Sequence, residues 1–335
     1  MTKKFRIAID ASWLGATGIG RVAAEVLERC PNDWEINEIR RGRRNAAPLT
    51  PFDLAAQIQR IDANLFWSPG FMPPARFGKT PVVLTVHDLT HLHYYKLHHR
   101  VYYNIFIRPL VKRAASVITV SDFSRQEFIS WSGMPQDRVV RIYNGVSKNF
   151  DPAGLKLEIG RPYILYVGNR RSYKNVIGLM KAFSMSSLGD RGLVLALSGE
   201  RDEACQLAEI EFGLEGKVHY FGFIPEEKLP SVYRGAHALA FVSFYEGFGL
   251  PILEAMACGI PVLTSSISSM PEIAGGAAYL VDPNSVQSIA NGLEAVSLDE
   301  ELRSHLIANG GQRVSDFSWD QTASQYWDTF SRLLV

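Results

Sequence analysis

Two glutamates, Glu246 and Glu254, with seven residues between them, stand in the stretch Ser-Phe-Tyr-Glu-Gly-Phe-Gly-Leu-Pro-Ile-Leu-Glu-Ala-Met-Ala-Cys-Gly-Ile-Pro-Val that starts at Ser243. Gly247 and Gly249 leave the backbone open just ahead of Pro251, a residue suited to a first helical turn. N–H groups at such a helix start can bind an anion. A carboxylate beside an anion site makes chemical sense if it accepts from neutral hydroxyls, and sugar hydroxyls are such donors. A phosphate flanked by two glutamates therefore reads as a nucleotide-sugar site. The plainer alternative is that Glu254 only favours the positive end of its helix. Upstream, Gly168-Asn-Arg170-Arg171-Ser-Tyr-Lys174 holds three cations within five residues. Arg offers bidentate geometry and Lys a point charge, so the group could clamp a diphosphate, or be a solvated loop.

Two weaker signals lie nearer the start. His87-Asp88 ends an apolar run, where an imidazole could donate to a substrate oxygen or serve the fold. His91, His93, His98 and His99 follow, without the spacing of a common zinc site. Gly15, Gly18 and Gly20 precede a helical pattern containing Val22, Val26 and Leu27. They fit either a phosphate-approaching loop or a flexible turn. The spacing is neither a Walker loop nor the dinucleotide fingerprint.

These residues need elements to hold them. Short runs, nearly continuous in apolar residues, recur at 5–9, 65–67, 82–86, 116–120 and 139–142. A second series falls at 163–167, 193–197, 218–221, 238–242, 261–263 and 278–281. Unbroken apolar character marks strands covered on both faces, as in a parallel sheet. Helix-like stretches between them imply βαβ units. Two series predict an α/β chain of two doubly wound, Rossmann-like domains facing a cleft, with the chemistry at the carboxyl ends of the strands. The boundaries are read as 1–150, 151–315 and a final amphipathic helix over 316–335, with Ser318 as its N-cap.

The chain has 335 residues, enough for about two domains by the usual ~150 each. Lys+Arg total 35 against Asp+Glu 34, for a net charge of +1, which argues against a globally basic nucleic-acid binder. Cys30, Cys205 and Cys258 are odd in number and far apart, which favours a reducing compartment over a disulfide framework. The basic-then-apolar start breaks at Asp10, too early for a signal peptide. No apolar run approaches the ~18 residues of a membrane span. The expectation is a cytoplasmic protein, with peripheral contact at the inner face of the plasma membrane. The stretch 98–113 mixes aromatic and basic residues. It reads either as a face for anionic lipid or a lipid-linked substrate, or as a packed helix with a solvated basic side.

The Glu246–Glu254 stretch resembles the signature of family 4 retaining glycosyltransferases, which have the GT-B fold. Val-His-Asp, Val-Ile-Thr-Val-Ser-Asp-Phe-Ser, Tyr-Asn-Gly-Val, Tyr-Val-Gly-Asn-Arg-Arg-Ser-Tyr-Lys-Asn and Met-Pro-Glu-Ile occur in the family's order. The resemblance covers nearly the whole chain. It implies that Glu246 contacts the donor sugar's hydroxyls and Glu254 the ribose hydroxyls. Phe248, Gly249 and Leu250 would give backbone N–H groups to the phosphates. Lys174 and a second cation, Arg170 or Arg171, would neutralise the leaving diphosphate. The family often places an arginine directly after the strand-end glycine, where this chain has Asn169. His87 would lie near the donor sugar, Gly18 and Gly20 in the loop towards phosphate and acceptor, and Phe223 and Ile224 at the nucleobase. The last helix would cross back onto the first domain.

The implied reaction is retaining, metal-independent transfer of a hexose from a nucleoside-diphosphate sugar, with no further cofactor. The segments His-Asp-Leu-Thr-His-Leu and Val-Ser-Asp-Phe-Ser-Arg are similar to bacterial mannosyl- and rhamnosyl-type transferases of surface polysaccharide assembly. They favour GDP-mannose as donor and a free or lipid-linked saccharide as acceptor. A nucleotide-sugar epimerase, a sugar phosphorylase and a non-catalytic nucleotide-sugar-binding protein are the alternatives.

Overall fold

A computed structural model describes residues 5–15, 17–40 and 47–334. The chain divides into two compact units, Met1–Gly145 with Ser318–Val335, and Val146–Phe317. The sequence reading put the divisions at 150/151 and 315/316.

The first unit holds β1 (Phe5–Asp10), β2 (Trp34–Ile39), β3 (Leu65–Ser68), β4 (Val82–Val86), β5 (Ser116–Thr119) and β6 (Val139–Arg141). They form one sheet in the order β2-β1-β3-β4-β5-β6. The second holds β7 (Tyr163–Tyr166), β8 (Val194–Leu197), β9 (Val218–Tyr220), β10 (Ala238–Phe241), β11 (Val262–Ser265) and β12 (Tyr279–Val281). Their order is β12-β11-β10-β7-β8-β9. Every pairing between these strands is parallel. Both sheets are α/β and doubly wound, and central strands such as β3, β4, β7 and β10 are buried at every residue. That burial is why they appear in the sequence as unbroken apolar runs.

β2 is a correction to the sequence reading, which placed no strand there. It is an edge strand, Trp-Glu-Ile-Asn-Glu-Ile, buried only at its two ends. Its polar residues are compatible with one-sided exposure, so the strand carries no unbroken apolar run.

In each sheet the strand order reverses at one place, between β1 and β3 in the first and between β7 and β10 in the second. Loops leaving adjacent strands diverge at such a switch point and open a crevice at their carboxyl ends. The Lys174 loop leaves β7 and the Glu246 loop leaves β10, so the topology delivers both to one switch point.

The final helix, Trp319–Arg332, belongs to the first unit. The Ser318 hydroxyl caps it by accepting from the Asp320 N–H. Tyr326, Trp327 and Phe330 are buried beside Trp34 and Trp67. The Trp327 indole N–H donates to the Val26 carbonyl at 3.0 Å. No helix among the described residues is long and apolar enough to cross a membrane.

Candidate functional site

The loop after β7 is anchored before it reaches Lys174. The Ser198 hydroxyl accepts from the Gly168 N–H at 2.9 Å, and the Tyr166 hydroxyl donates to the Asn169 carbonyl at 2.6 Å. A single turn, Ser172–Lys174, follows. Asn175 then adopts the left-handed conformation, with φ of 58°. Its side-chain amide donates to the carbonyls of Val242 (3.2 Å) and Pro283 (3.0 Å), and the Phe244 N–H donates to the Tyr173 carbonyl at 2.7 Å. These bonds stitch the β7 loop to the end of β10 and to the segment after β12.

The Lys174 ammonium therefore lies 2.6 and 2.8 Å from the two carboxylate oxygens of Glu246. Both side chains are largely buried, at 12% and 11% exposure, so the pair is little screened by water. The Ser243 hydroxyl donates to the same carboxylate at 2.6 Å. Ser268, itself left-handed at φ 63°, accepts from the Glu246 N–H and donates to its carbonyl. The Ser269 hydroxyl lies 2.9 and 2.8 Å from the carbonyls of Glu246 and Phe248. Glu246 is thus held through its backbone as well as its side chain.

Directly after it the chain enters helix Leu250–Ala257 through Gly249, whose φ of 110° favours glycine. No side chain caps this helix. The N–H groups of Gly249 and Leu250 have no acceptor among the described residues, and both stand at the positive end of the helix dipole. Glu254 lies one turn in, 4% exposed, and accepts from the Tyr233 hydroxyl at 2.8 Å. A cation, a carboxylate and open backbone donors thus meet at the switch point, an arrangement suited to an anion that carries neutral hydroxyls.

The other expected residues fall elsewhere on the two units. Arg170 turns towards β8, on the far side of β7 from β10. Its guanidinium donates to the carbonyls of Ser198 (2.9 Å), Gly199 (2.9 Å) and Glu200, and to the Asp202 carboxylate at 3.1 Å. Both terminal nitrogens are committed to the fold, which leaves it poorly placed to neutralise a diphosphate. Arg170 and Arg171 line a cavity of about 220 Å³ together with Asp202 and Cys205, and neither Lys174 nor Glu246 borders it. Phe223, three residues beyond β9, is 84% exposed and is followed by half-buried Ile224.

In the first unit, Gly18 opens helix Gly18–Glu28. The Thr17 hydroxyl already accepts from the Gly20 N–H at 3.1 Å. A Cβ on Gly20 would come 2.2 Å from the Gly15 carbonyl oxygen, so the loop closes only around a glycine. His87 directly follows β4, half-buried, with Nε2 2.9 Å from the Pro69 carbonyl. A carbonyl only accepts, so Nε2 carries the proton. Burial holds the imidazole's pKa below its ordinary value, against the backbone bond and Asp88. It is neutral near pH 7, with Nδ1 as an acceptor; donation to a substrate oxygen and a part in the fold were the two alternatives the sequence offered. His91 stacks on Tyr103 at 3.7 Å and His93 pairs with Glu127. Among the described residues no group of three or more His, Cys, Asp or Glu side chains could hold a metal ion.

Ser268, Asn175 and Tyr233 escaped the sequence reading. Nothing local marks a serine for left-handed backbone, and Tyr233 reaches Glu254 from 21 residues away. Ser243 stands inside the motif and was within reach.

Residues 147–313 match the family described as "Glycosyl transferases group 1", and residues 18–150 match "Glycosyltransferase Family 4". O-antigen chain mannosyltransferase B of Escherichia coli is 33% identical over 302 residues, 85% of this chain and 78% of that protein. The serotype-specific mannosyltransferase WbdA of Escherichia coli is 31% identical over 240 residues, 67% of this chain and 29% of that protein. Among solved structures, HepE of Anabaena in complex with UDP-glucose aligns with a TM-score of 0.76 at 18% identity, covering 98% of this chain and 99% of that one.

Proposed function

The chain belongs to the group 1, family 4 glycosyltransferases, and on that premise we propose that it moves mannose from GDP-mannose to a free or lipid-linked saccharide in surface polysaccharide synthesis. In this proposal the anomeric configuration is retained, no metal ion is needed, and the reaction runs in the cytoplasm. The mannosyl assignment is supported by the two Escherichia coli mannosyltransferases, and the nucleotide-sugar class by the UDP-glucose complex of the Anabaena structure.

The observation that carries the reading is the Lys174–Glu246 pair at the open start of helix Leu250–Ala257. As the glycosidic C–O bond to the diphosphate breaks, negative charge grows on the leaving oxygens. Lys174 and the N–H groups of Gly249 and Leu250 meet that charge from fixed positions, so little reorganisation is needed as it develops. Glu246 accepts from donor-sugar hydroxyls and, as their partner, gives up part of its hold on Lys174. Glu254, oriented by Tyr233, accepts from the ribose hydroxyls. Gly247 and Phe248 extend the backbone along the phosphates, and Phe223 with Ile224 covers the base. Arg170 keeps a structural role.

Thermal shift with GDP, UDP, ADP and dTDP tests the donor. A nucleotide at ~100 times its Kd stabilises by about 2.7 kcal/mol, roughly 5–10 °C for a unit of this size. GDP should give the large shift, and a larger response to any of the other three would reject GDP-mannose.

A further inference from the structure

Residues 97–111 form one helical run with apolar side chains on both sides. Helix Leu97–Tyr102 passes through the wider turn Tyr103–Ile107 into Arg108–Val111. The widening lies just before Pro109, whose ring cannot sit against the carbonyl four residues back. Tyr103, Ile107 and Val111, spaced four apart, are buried in the unit's core. Leu97, Val101 and Ile105 are also spaced four apart, and with Phe106 they are exposed by 71%, 45%, 61% and 60%. A helix of a globular unit normally turns its apolar stripe to the core and polar residues to solvent. Here the protein's own unit covers one side only.

Charge indicates what covers the other. From Leu89 to Ser121 the sequence has no Asp or Glu, yet it holds Lys96, Arg100, Arg108, Lys112 and Arg113. The chain as a whole is nearly neutral, at +1. Lys96, Arg100, Lys112 and Arg113 are exposed. Tyr94 and Tyr95 are 41% and 37% exposed, and tyrosine favours the boundary between apolar and wet surroundings. An anionic bilayer presents acyl chains and negative headgroups together, matching both features. At ~1.5 Å per residue the run is too short to span a bilayer, but it can lie in the plane of one.

We propose that residues 94–113 dock this protein onto an anionic membrane surface. Leu97, Val101, Ile105 and Phe106 enter the acyl boundary, and Lys96, Arg100, Lys112 and Arg113 engage the headgroups. This surface lies outside the Lys174–Glu246 site and is independent of the reaction assigned to it.

Sedimentation of the full chain with sucrose-loaded vesicles tests it, comparing phosphatidylcholine alone with a phosphatidylcholine–phosphatidylglycerol mixture. The protein should pellet with the anionic vesicles, less so in high salt. The double variant Ile105→Ser with Phe106→Ser should bind them roughly tenfold or more weakly, because two exposed apolar anchors are lost. Its melting temperature and its turnover on a soluble acceptor should be unchanged. Undiminished pelleting of the double variant, equal binding to neutral vesicles, or no pelleting of the wild type would overturn the proposal. So would a wild-type dimer, absent from the variant, with no vesicle binding, which would assign the face to a second copy.

Discussion

Lys174 and Glu246 neutralise each other in the structure, and that pairing shapes what their removal should do. Lys174→Ala should lower kcat by ~10²–10³, the range for losing one group that stabilises developing charge. Steady-state assays check this, and an unchanged kcat would remove Lys174 from the reaction. Replacing both residues should cost less than the sum of the single losses, because each single variant strands a largely buried partner. Arg170 makes the opposite prediction. Its four acceptors lie at the end of β8 and at Asp202, the cap of helix Glu203–Phe212. Arg170→Ala should reduce the melting temperature by about 5 °C, as expected for losing ~2 kcal/mol of charge-assisted bonds, while nucleotide affinity measured by calorimetry stays near wild type. A large loss of affinity with no loss of stability would return Arg170 to the diphosphate. The sequence announced three cations after a strand but not which neighbour each would face. That direction is set by irregular backbone, where no periodicity applies.

At the level of elements, burial decides what can be read. The central strands are covered on both faces and declare themselves, whereas β2, half exposed at the edge, does not. The same contrast separates the two aromatic helices. Helix Trp319–Arg332 has one buried face, a serine cap and a regular stripe, so its place in the sequence is plain. The run over 97–111 is apolar on both faces, and sequence alone left it between a packed helix and a lipid contact. Trp327→Ala should destabilise the protein by ~3–5 kcal/mol, the usual cost of deleting a buried tryptophan, since its ring packs on Trp34 and its N–H holds Val26. A urea midpoint within error of wild type would contradict the assigned packing.

Over the whole molecule, four histidines share one electrostatic condition. Burial lowers the pKa of His87, His219 and His237 below 6.5, and that of His91 to about 4. The unfolded chain takes up protons at these residues near pH 6.5 while the folded one resists. Stability is therefore fully present above that pH and is lost as pH falls towards 4. The melting temperature should be level from pH 8 to about 7 and decline below it, and His91→Phe should flatten the lower part of the slope. A constant melting temperature down to pH 4.5 would refute this. The two doubly wound sheets were legible because strand and helix alternate along the chain, and the motif residues were legible by type and spacing. The serines and Tyr233 that fix them come from distant segments that only the folded sheet brings near. The reaction itself is best judged by incubating the protein with labelled GDP-mannose and a mannose-containing acceptor, then assigning the new linkage by NMR. Wild-type protein should form the α-anomer, and folded Glu246→Ala should form almost none. An inverted β-linkage, or full transfer by the variant, would contradict the proposed mechanism.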